Sequence, residues 1–172
     1  MRQISPYVEG SVLDVGCGHA NILAHAGDRI QNYCGIERNL PLLDELKSKF
    51  PQYRFYQIYL DEDNLDFDGD FDTVVLAAVL EHIYNQKHLF ARILMKLKPT
   101  GKIVVTTPTL FGDFVHRIGA RLGFFAKSAV DAHIVIYNKH RFRVLAKKFD
   151  LRIQKYELFE LGCNQLVILT KK

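Results

Sequence analysis

The sequence predicts an α/β fold: a doubly wound, mostly parallel seven-stranded sheet with one antiparallel strand near its edge. First, short apolar runs alternate with stretches of helical spacing up to residue 107, which is the pattern of βαβ units. Second, the run Thr73–Leu80 is almost continuously apolar, as expected for a strand that helices cover on both faces. Third, only Gly162 and Cys163 separate the last two runs, and so short a connection permits only an antiparallel pair.

Each predicted strand is a short apolar run that ends at a turn residue or a charge. The first run stops at Gly16, the second ends at the charge of Glu37, and the fifth is stopped by Pro108. In chain order the predicted strands are Ser11–Val15, Asn32–Glu37, Tyr53–Tyr59, Phe71–Ala77, Lys102–Thr107, Leu151–Leu161 and Asn164–Thr170.

The helices are predicted from apolar residues that recur every three or four positions. A first helix is expected to begin near His19, and the spacing predicts further helices over Leu40–Phe50 and His88–Leu97. The segment Lys98–Gly101 contains proline and glycine and should end the last of these.

An amphipathic stretch interrupts this rhythm after the fifth strand. Leu110–Phe125 has apolar residues at helical spacing but also three glycines, each of which costs roughly 1 kcal/mol relative to alanine inside a helix. We expect residues 108–137 to form an insert that either closes over a ligand as a lid or packs on the core.

Length and composition bound the class of protein. The chain has 172 residues, 48% hydrophobic and 24% charged, which suits a single globular domain spanning 1–172. Its three cysteines form no Cys-x-x-Cys pair, and neither metal-ligand spacing nor a phosphate-binding Gly-Lys loop is present. The first ten residues lack the apolar core of a signal peptide, and no apolar run approaches the ~20 residues of a membrane span. We expect a reduced, cytoplasmic protein without a metal.

The net charge of +4 conceals an asymmetry between the two halves of the chain. Residues 1–75 carry 6 Lys/Arg against 13 Asp/Glu, whereas residues 76–172 carry 17 against 6. Much of the excess lies between Lys139 and Lys148. Such a basic region either attracts anions, including phosphate, nucleic acid and lipid headgroups, or is a solvated helix face.

The segment Val12–Asn21 carries the pattern that indicates chemistry. A strand runs into Asp14, and Gly16 and Gly18 follow, so the backbone can approach a ligand closely before a helix begins. Glu37 lies 19 residues after Gly18, at the end of the next strand, where a carboxylate can accept both hydroxyls of a ribose. The combination predicts a nucleoside cofactor.

The spacing separates two kinds of nucleoside cofactor. A dinucleotide fingerprint requires a small residue at position 21, where this chain has Asn21; its small residue is Ala20. The spacing Asp-x-Gly-x-Gly-x-Ala instead resembles the motif of class I S-adenosylmethionine-dependent methyltransferases, whose fold is Rossmann-like. That resemblance implies that Asp14 holds the amino acid part of the cofactor, directly or through water.

The resemblance covers about residues 10 to 107 closely and the tail more loosely. Tyr59–Phe67 followed by Phe71–Val75 resembles the family's third-strand end and fourth strand, and Leu94–Gly101 resembles its Lys-Pro-Gly-Gly turn. Ala77–His82 resembles the segment beneath the cofactor in the type 11, quinone-biosynthesis subgroup. The chain departs from the pattern at Ala20 and Thr100, where glycine is usual.

The resemblance also implies a set of cofactor-binding residues. Asp61 would pair with the adenine amino group, and the backbone of Glu62 with a ring nitrogen. The predicted cofactor-binding residues are Asp14, Gly16, Cys17, Gly18, His19, Glu37, Arg38, Asp61, Glu62 and Ala77.

In this chemistry a general base is needed only when the acceptor must first lose a proton. His82 and His133 are the predicted catalytic residues, because histidine titrates near neutral pH and both lie where the acceptor should bind. The alternatives are a packing or capping role for His82 and a structural role for His133. Glu81 is expected to cap the helix that follows it, and Cys17 has no partnered base that would make it a nucleophile.

We therefore predict methyl transfer from S-adenosylmethionine to a small-molecule acceptor, which a lipid or sugar carrier could bear. The short segment before the first strand motivates an alternative, a non-catalytic S-adenosylmethionine-binding protein or partner-dependent subunit. A nicotinamide oxidoreductase is disfavoured by Asn21, and Ala77–Leu80 lacks the Asn/Asp-Pro-Pro-aromatic motif of enzymes that methylate base amino groups in nucleic acid. The basic half leaves contact with a membrane surface open, and we expect a monomer or homodimer.

Overall fold

The computed structural model describes residues 1–121 and 134–172, with the backbone alone for 116–121. Seven strands form one sheet: β1 (Gly10–Val15), β2 (Ile30–Glu37), β3 (Arg54–Gln57), β4 (Phe71–Ala77), β5 (Leu97–Pro108), β6 (Leu151–Phe159) and β7 (Asn164–Lys171). The described helices are α1 (Ile22–Ala26), α2 (Leu40–Lys49), α3 (Gln86–Lys96), α4 (Leu110–Arg121) and α5 (Lys139–Lys148). Short 3-10 turns lie at Ser5–Tyr7, Gly27–Arg29 and Leu80–His82.

The strand order is β3-β2-β1-β4-β5-β7-β6. Strands β1 to β5 pair in parallel, while β7 runs antiparallel to both of its neighbours, β5 and β6. The predicted mostly parallel sheet with one reversed strand near the edge is therefore confirmed. The order reverses between β1 and β4, and in doubly wound sheets a ligand binds in the crevice outside the carboxyl ends of the strands at such a point.

Apolar residues fill a separate core on each face of the sheet. Consecutive residues of β4 point to opposite faces, so Val74 belongs to one core and Val75 to the other, and both are fully buried. Helices α3 and α5 cover the first face, with Phe90 and Phe142 packed in its core, and α2 covers the second with Leu43. This two-sided burial, at roughly 1.5–3 kcal/mol for each large apolar side chain, explains why the strands are continuously apolar.

Three helices begin at an asparagine cap. The side chains of Asn39, Asn85 and Asn138 accept hydrogen bonds from the backbone N–H three residues later, at 3.1, 3.1 and 2.9 Å. Each cap satisfies an N–H that would otherwise have no partner in the first helical turn. This local chemistry sets where α2, α3 and α5 start.

The first helix begins later than predicted. Residues Gly18–Asn21 form turns, and α1 starts at Ile22 rather than near His19. The reason is local conformation, because Gly18 has φ +50° and Ala20 has φ +53°, and left-handed residues cannot continue a right-handed helix. The glycine turn is therefore followed by a second turn and not directly by a helix N-terminus.

The end of β4 agrees with prediction, whereas the start of β5 does not. β4 ends at Ala77, as predicted, because Ala78 is left-handed (φ +56°) and the apolar run to Leu80 does not continue as a strand. β5 begins at Leu97, which pairs with Phe71 before an irregular register leads on to the regular part of the strand. The predicted turn at 98–101 is thus absorbed into the strand as an irregularity.

Helix α4 is held against the turn between β6 and β7. The backbone N–H of Thr109 donates to the carbonyl of Cys163 at 2.9 Å, and the Thr109 hydroxyl donates to the carbonyl of Gly162 at 2.7 Å. A Cβ on Gly112 would lie 1.8 Å from the Cys163 carbonyl oxygen, so only glycine allows this approach. The remainder of the predicted insert, residues 122–133, lies outside the described residues. Among the helices of the described part, none is long and apolar enough to cross a membrane.

Candidate functional site

The glycine turn lies at the carboxyl end of β1, beside the point where the strand order reverses. Gly16 has φ +69°, and a Cβ there would lie 2.6 Å from a methyl group of Val79. Gly18 has φ +50°, and a Cβ built there meets no atom within 4 Å. The two glycines therefore have different roles. Gly16 permits close packing against the segment after β4, whereas Gly18 leaves open space above the turn.

Glu37 ends β2 and is fixed by backbone donors. Its carboxylate accepts from the N–H of Gly18 at 3.2 Å through Oε2, and from Arg38 at 2.9 Å and Asn39 at 3.1 Å through Oε1. The N–H of Cys17 donates to the carbonyl of Ile36 at 2.9 Å, which ties the turn to the same strand. The predicted pairing of a glycine turn with an acidic strand end is therefore present in the geometry. A carboxylate has about four lone-pair sites, so these three bonds leave capacity for a ligand hydroxyl.

Asp14 is buried directly beneath this turn. Its side chain is 2% exposed, and the Tyr33 hydroxyl donates to its Oδ2 at 2.8 Å. Burial raises the pKa of Asp14 from 3.8 to about 6, the Tyr33 hydrogen bond opposes that rise, and the charge of Glu37 adds to it. At neutral pH, which is above this pKa, the Asp14 carboxyl is ionised deep in the protein, on the strand next to the one that Glu37 ends.

Cys17 is chemically quiet. Its side chain is buried, and burial together with the nearby charge of Asp14 raises the pKa of the thiol above its usual range. The thiolate is the reactive form of cysteine, so this environment disfavours nucleophilic chemistry.

The loop after β3 brings two further predicted residues to the site region. Asp61 is half-buried, and its Oδ1 accepts from the backbone N–H of Asn85 at 2.7 Å, which links this loop to the start of α3. The N–H of Glu62, which the family pattern assigns to a ring nitrogen, donates to the carbonyl of Tyr59 at 3.0 Å. That N–H would have to be shared or exchanged to contact a ligand.

The segment after β4 carries the candidate base. His82 is half-buried and lies in the 3-10 turn Leu80–His82. Glu81 is 1% exposed in the same turn, and its carbonyl accepts from the N–H of Ile134 at 2.9 Å and of Val135 at 3.2 Å. The expectation that Glu81 caps the following helix is wrong, because α3 starts at Gln86 and its cap is Asn85. His133, the second candidate base, lies outside the described residues.

Predicted residues thus meet at the carboxyl ends of three neighbouring strands. Asp14 lies near the end of β1 and the glycine turn follows that strand. Glu37 ends β2 and Ala77 ends β4, while His19 and Arg38 are exposed beside them. Three residues with contacts near this edge were not predicted: Tyr33, Asn85 and Gln165. Tyr33 donates to Asp14, and the backbone of Asn85 donates to Asp61. The side-chain amide of Gln165 donates to the carbonyls of Pro108 and Tyr137. Tyr33 reaches Asp14 because the parallel register pairs Val12 with Tyr33. No local pattern in the sequence indicates this register.

The sequence of the chain is similar to those of known proteins. A family model described as a methyltransferase domain matches residues 4–156 of the chain. Over 117 residues the chain is 29% identical to an uncharacterised methyltransferase of Schizosaccharomyces pombe, an alignment that covers 62% of this chain and 41% of that protein. The chain thus spans less than half the length of this relative.

Solved structures share the fold over nearly the whole chain. An S-adenosylmethionine-dependent methyltransferase from Mesorhizobium loti has a TM-score of 0.74 at 17% identity, covering 98% of this chain and 94% of that one. A methyltransferase in complex with the Haloferax volcanii Trm112 methyltransferase activator has a TM-score of 0.76 at 13% identity, covering 95% and 84%.

These matches confirm the predicted fold and family, and with them the predicted cofactor class, S-adenosylmethionine. The residues present fit this cofactor, because the open glycine turn lies within hydrogen-bond distance of the carboxylate of Glu37 at the end of β2. The chain belongs to the methyltransferase domain family, with the Rossmann-like class I fold of S-adenosylmethionine-dependent enzymes.

Proposed function

We propose that the chain catalyses methyl transfer from S-adenosylmethionine to a small-molecule acceptor by a single in-line displacement. The observation that carries the proposal is the Glu37 carboxylate, held 3.2 Å from the N–H of Gly18. It joins an acidic strand end to an open glycine turn, and sites that bind the ribose of a nucleoside cofactor combine these two features.

The cofactor is cationic, and this chain offers carboxylates along the proposed site. Glu37 would accept the ribose hydroxyls, Asp61 would accept from the adenine amino group, and Asp14 would attract the ammonium group of the amino acid part. The backbone at Gly18, with open space in front of it, would approach the cofactor most closely. The remaining proposed binding residues are Gly16, Cys17, His19, Arg38, Glu62 and Ala77.

Bound there, S-adenosylmethionine supplies a methyl group that its sulfonium has already activated for displacement. The residues of the chain have to orient the acceptor and exclude water, and such positioning supplies roughly 7–11 kcal/mol of the barrier. For a hydroxyl or amine acceptor, the imidazole of His82 would take the proton as the new bond forms. His133 is the second candidate for that role.

Calorimetric titration tests the cofactor part of the proposal. We expect S-adenosylmethionine and its demethylated product to bind with micromolar dissociation constants and NAD to show no binding. Glu37→Ala should weaken binding by tenfold or more, since charge-assisted hydrogen bonds are worth about 1.5–3 kcal/mol. Glu45→Ala, which removes an exposed carboxylate from α2, is the matched control and should bind as the wild type does. Tight NAD binding would overturn the assignment.

Turnover tests the catalytic part. A panel of hydroxyl, amine and carbon acceptors, some attached to lipid or sugar carriers, would be incubated with radiolabelled S-adenosylmethionine. We expect His82→Ala to reduce kcat for acceptors that must lose a proton while leaving cofactor affinity unchanged. His140→Ala removes an exposed histidine from α5 and should leave kcat unchanged. Equal rates for both variants would assign His82 a structural role.

A second candidate function is that of a subunit that needs a partner protein for activity. One structural neighbour supports this candidate, because that methyltransferase was solved in complex with a methyltransferase activator. Turnover by the isolated chain in dilute solution would exclude this alternative. Binding of the cofactor without turnover across the acceptor panel would favour it. Light scattering on the same sample distinguishes the monomer from the homodimer.

We also propose contact with an anionic membrane surface through a set of exposed side chains that we call the apolar rim. It consists of Leu110, Phe111 and Phe114 of α4 and Leu161 of the β6–β7 turn. Leu161 is 99% exposed and left-handed (φ +56°), so neither core packing nor backbone preference favours leucine at this position. Helix α5, whose exposed residues include Lys139, Arg141 and Arg143, begins at the same end of the sheet and supplies positive charge.

Vesicle sedimentation tests this contact. We expect binding to vesicles of phosphatidylcholine and phosphatidylglycerol (3:1), and little binding to phosphatidylcholine alone. Phe111→Ser with Phe114→Ser should abolish binding, whereas Met95→Ser, which changes an exposed apolar residue of α3, should not. Absence of binding, or a dimer that the double substitution dissociates, would overturn the proposal.

The domain organisation is proposed in the same way. Residues 1–172 would form one methyltransferase domain, with 108–137 as an insert on the acceptor side. Limited proteolysis should cut first within this insert, and the demethylated cofactor should slow the cut if the insert closes over the site. Cuts elsewhere, unaffected by ligand, would contradict both parts.

A further inference from the structure

A closed polar group lies beneath the glycine turn, on the side of the sheet that α2 covers. It comprises the Asp14 carboxylate, the Tyr33 hydroxyl and the Cys17 thiol, all of them almost fully buried. Tyr33 lies on β2, next to the strand that carries Asp14, and its hydroxyl donates to Asp14 Oδ2 at 2.8 Å. The backbone of Cys17 belongs to the turn itself, so the group connects the buried carboxylate to the proposed cofactor site.

The Tyr33 ring is fixed by its surroundings. Its centroid lies 5.5 Å from that of Tyr53 and 5.8 Å from that of Phe55, both in tilted arrangements. A Cβ on Gly35 would lie 2.8 Å from Phe55 and 2.9 Å from the Cys17 sulfur, so the space between these side chains is already full. A ring held in this way has little freedom, and its hydroxyl stays directed at Asp14.

Tyr33 is the neighbour that favours the ionised carboxylate. The titratable groups that face Asp14 are Tyr33 from β2, Cys17 from the turn and Glu37 at the end of β2. Burial and the charge of Glu37 both raise the pKa of Asp14, and the Tyr33 hydrogen bond lowers it. On the other side of β1, the residue of β4 that pairs with Asp14 is the apolar Val75, which offers no compensation.

We propose that Tyr33 is a positioning residue for cofactor binding, because its hydroxyl keeps the Asp14 carboxylate ionised and correctly oriented beneath the glycine turn. The inference rests on the proposed function, in which Asp14 attracts the ammonium group of the cofactor's amino acid part. It assigns a role to a residue of β2 that would not itself touch the cofactor.

The sign of the pH dependence follows from the folded-state pKa of Asp14, about 6. Above that pH the carboxylate is charged and attracts the cofactor; below it the carboxyl is neutral and affinity falls. Tyr33→Phe keeps the ring but removes the donor that stabilises the charge, so the pKa should rise. The loss of a hydrogen bond to a charged group corresponds to about one to two pH units.

The experiment measures the dissociation constant of S-adenosylmethionine from pH 5 to pH 8.5 for the wild type and four variants. We expect wild-type affinity to fall below about pH 6, and Tyr33→Phe to shift that midpoint upward by about one to two units, which corresponds to about two- to tenfold weaker binding at pH 7. Asp14→Asn should bind weakly with no midpoint in this range. Tyr53→Phe is the matched control, since it removes a hydroxyl from the adjacent ring, and its midpoint should equal that of the wild type. Asp14→Glu, which keeps the charge but moves it, should retain a midpoint.

The outcomes separate the two ideas. If Tyr33→Phe weakens binding equally at every pH, or leaves it unchanged, Tyr33 has only a structural role and the inference is wrong while the proposed function stands. If the wild type binds no S-adenosylmethionine, the proposed function fails. In that case the pH dependence of unfolding of wild type and Tyr33→Phe still shows whether Tyr33 controls the ionisation of Asp14, and thermal melts exclude unfolded variants.

Discussion

Replacing Gly112 by alanine sets two effects of opposite sign against each other. Gly112 is in the first turn of α4, and glycine in a helix costs about 1 kcal/mol relative to alanine, so helix propensity alone predicts a gain in stability. The structure predicts a loss, because a Cβ at this position would lie 1.8 Å from the carbonyl oxygen of Cys163. The obstacle is backbone, so no change of rotamer can remove it.

The magnitude follows from what must move. To admit the methyl group, α4 has to move away from the β6–β7 turn. That movement strains the 2.9 Å bond from the Thr109 N–H to Cys163 and the 2.7 Å bond from its hydroxyl to Gly162, worth about 1 kcal/mol each. Overpacking adds about 1–3 kcal/mol. After the gain in helix propensity is subtracted, Gly112→Ala should lower the free energy of unfolding by about 2–4 kcal/mol.

Equilibrium unfolding in urea measures this change. Phe111→Ala, one residue earlier in the same helix and 56% exposed, is the control and should change the free energy of unfolding by no more than about 0.5 kcal/mol. A Gly112→Ala variant as stable as the wild type, or more stable, would refute the reasoning. It would mean that α4 does not approach the turn as described.

Three further changes have expected outcomes. Asp14→Asn should stabilise the cofactor-free protein at pH 7 by about 1–3 kcal/mol. The pKa of this carboxyl is raised from 3.8 to about 6, so the stability that it contributes in its protonated form is lost as pH rises from about 4 to 6. Urea unfolding at pH 4 and pH 7 checks this expectation. Leu161→Gly should raise stability by about 0.5–1 kcal/mol by relieving a left-handed leucine, and should lower vesicle binding; equal or weaker stability would contradict the first part. Phe90→Ala should destabilise by about 3–5 kcal/mol, since this fully buried ring stacks on Phe149 at 4.8 Å; a loss under 1 kcal/mol would contradict that packing.

The fold and the centre of the candidate site were predictable because they depend on local patterns. Apolar runs separated by amphipathic stretches identify the strands and helices whatever their partners, and the short link at Gly162 and Cys163 requires the reversed strand. Glu37 and Gly18 could be paired from the sequence because parallel strands bring their carboxyl ends to one edge of the sheet. The structure has them in hydrogen-bond contact.

Other features depend on contacts between residues far apart in the chain. The start of α1 was misplaced, because the left-handed conformation of Ala20 breaks a helix that its side chain would favour. Glu81 was assigned a capping role that Asn85 performs, because helix starts are uncertain by several residues until the cap geometry is known. From the sequence, Gly112 could be assessed only by its unfavourable helix propensity. The structure shows that a glycine there allows the close approach of the Cys163 carbonyl, more than fifty residues away in the chain.

By itself, then, the sequence determined the α/β class, the reversed strand, the methyltransferase family and the carboxylate that faces the glycine turn. The fold class, the reversed strand and the carboxylate follow from periodicity, turn chemistry and motif spacing, which act over a few residues. The family follows from the resemblance of the glycine-turn motif to that of class I methyltransferases. Only the tertiary structure decided that Tyr33 donates to Asp14 and that Gly112 meets Cys163. Both depend on strand register and helix docking, which the packing of the whole chain sets.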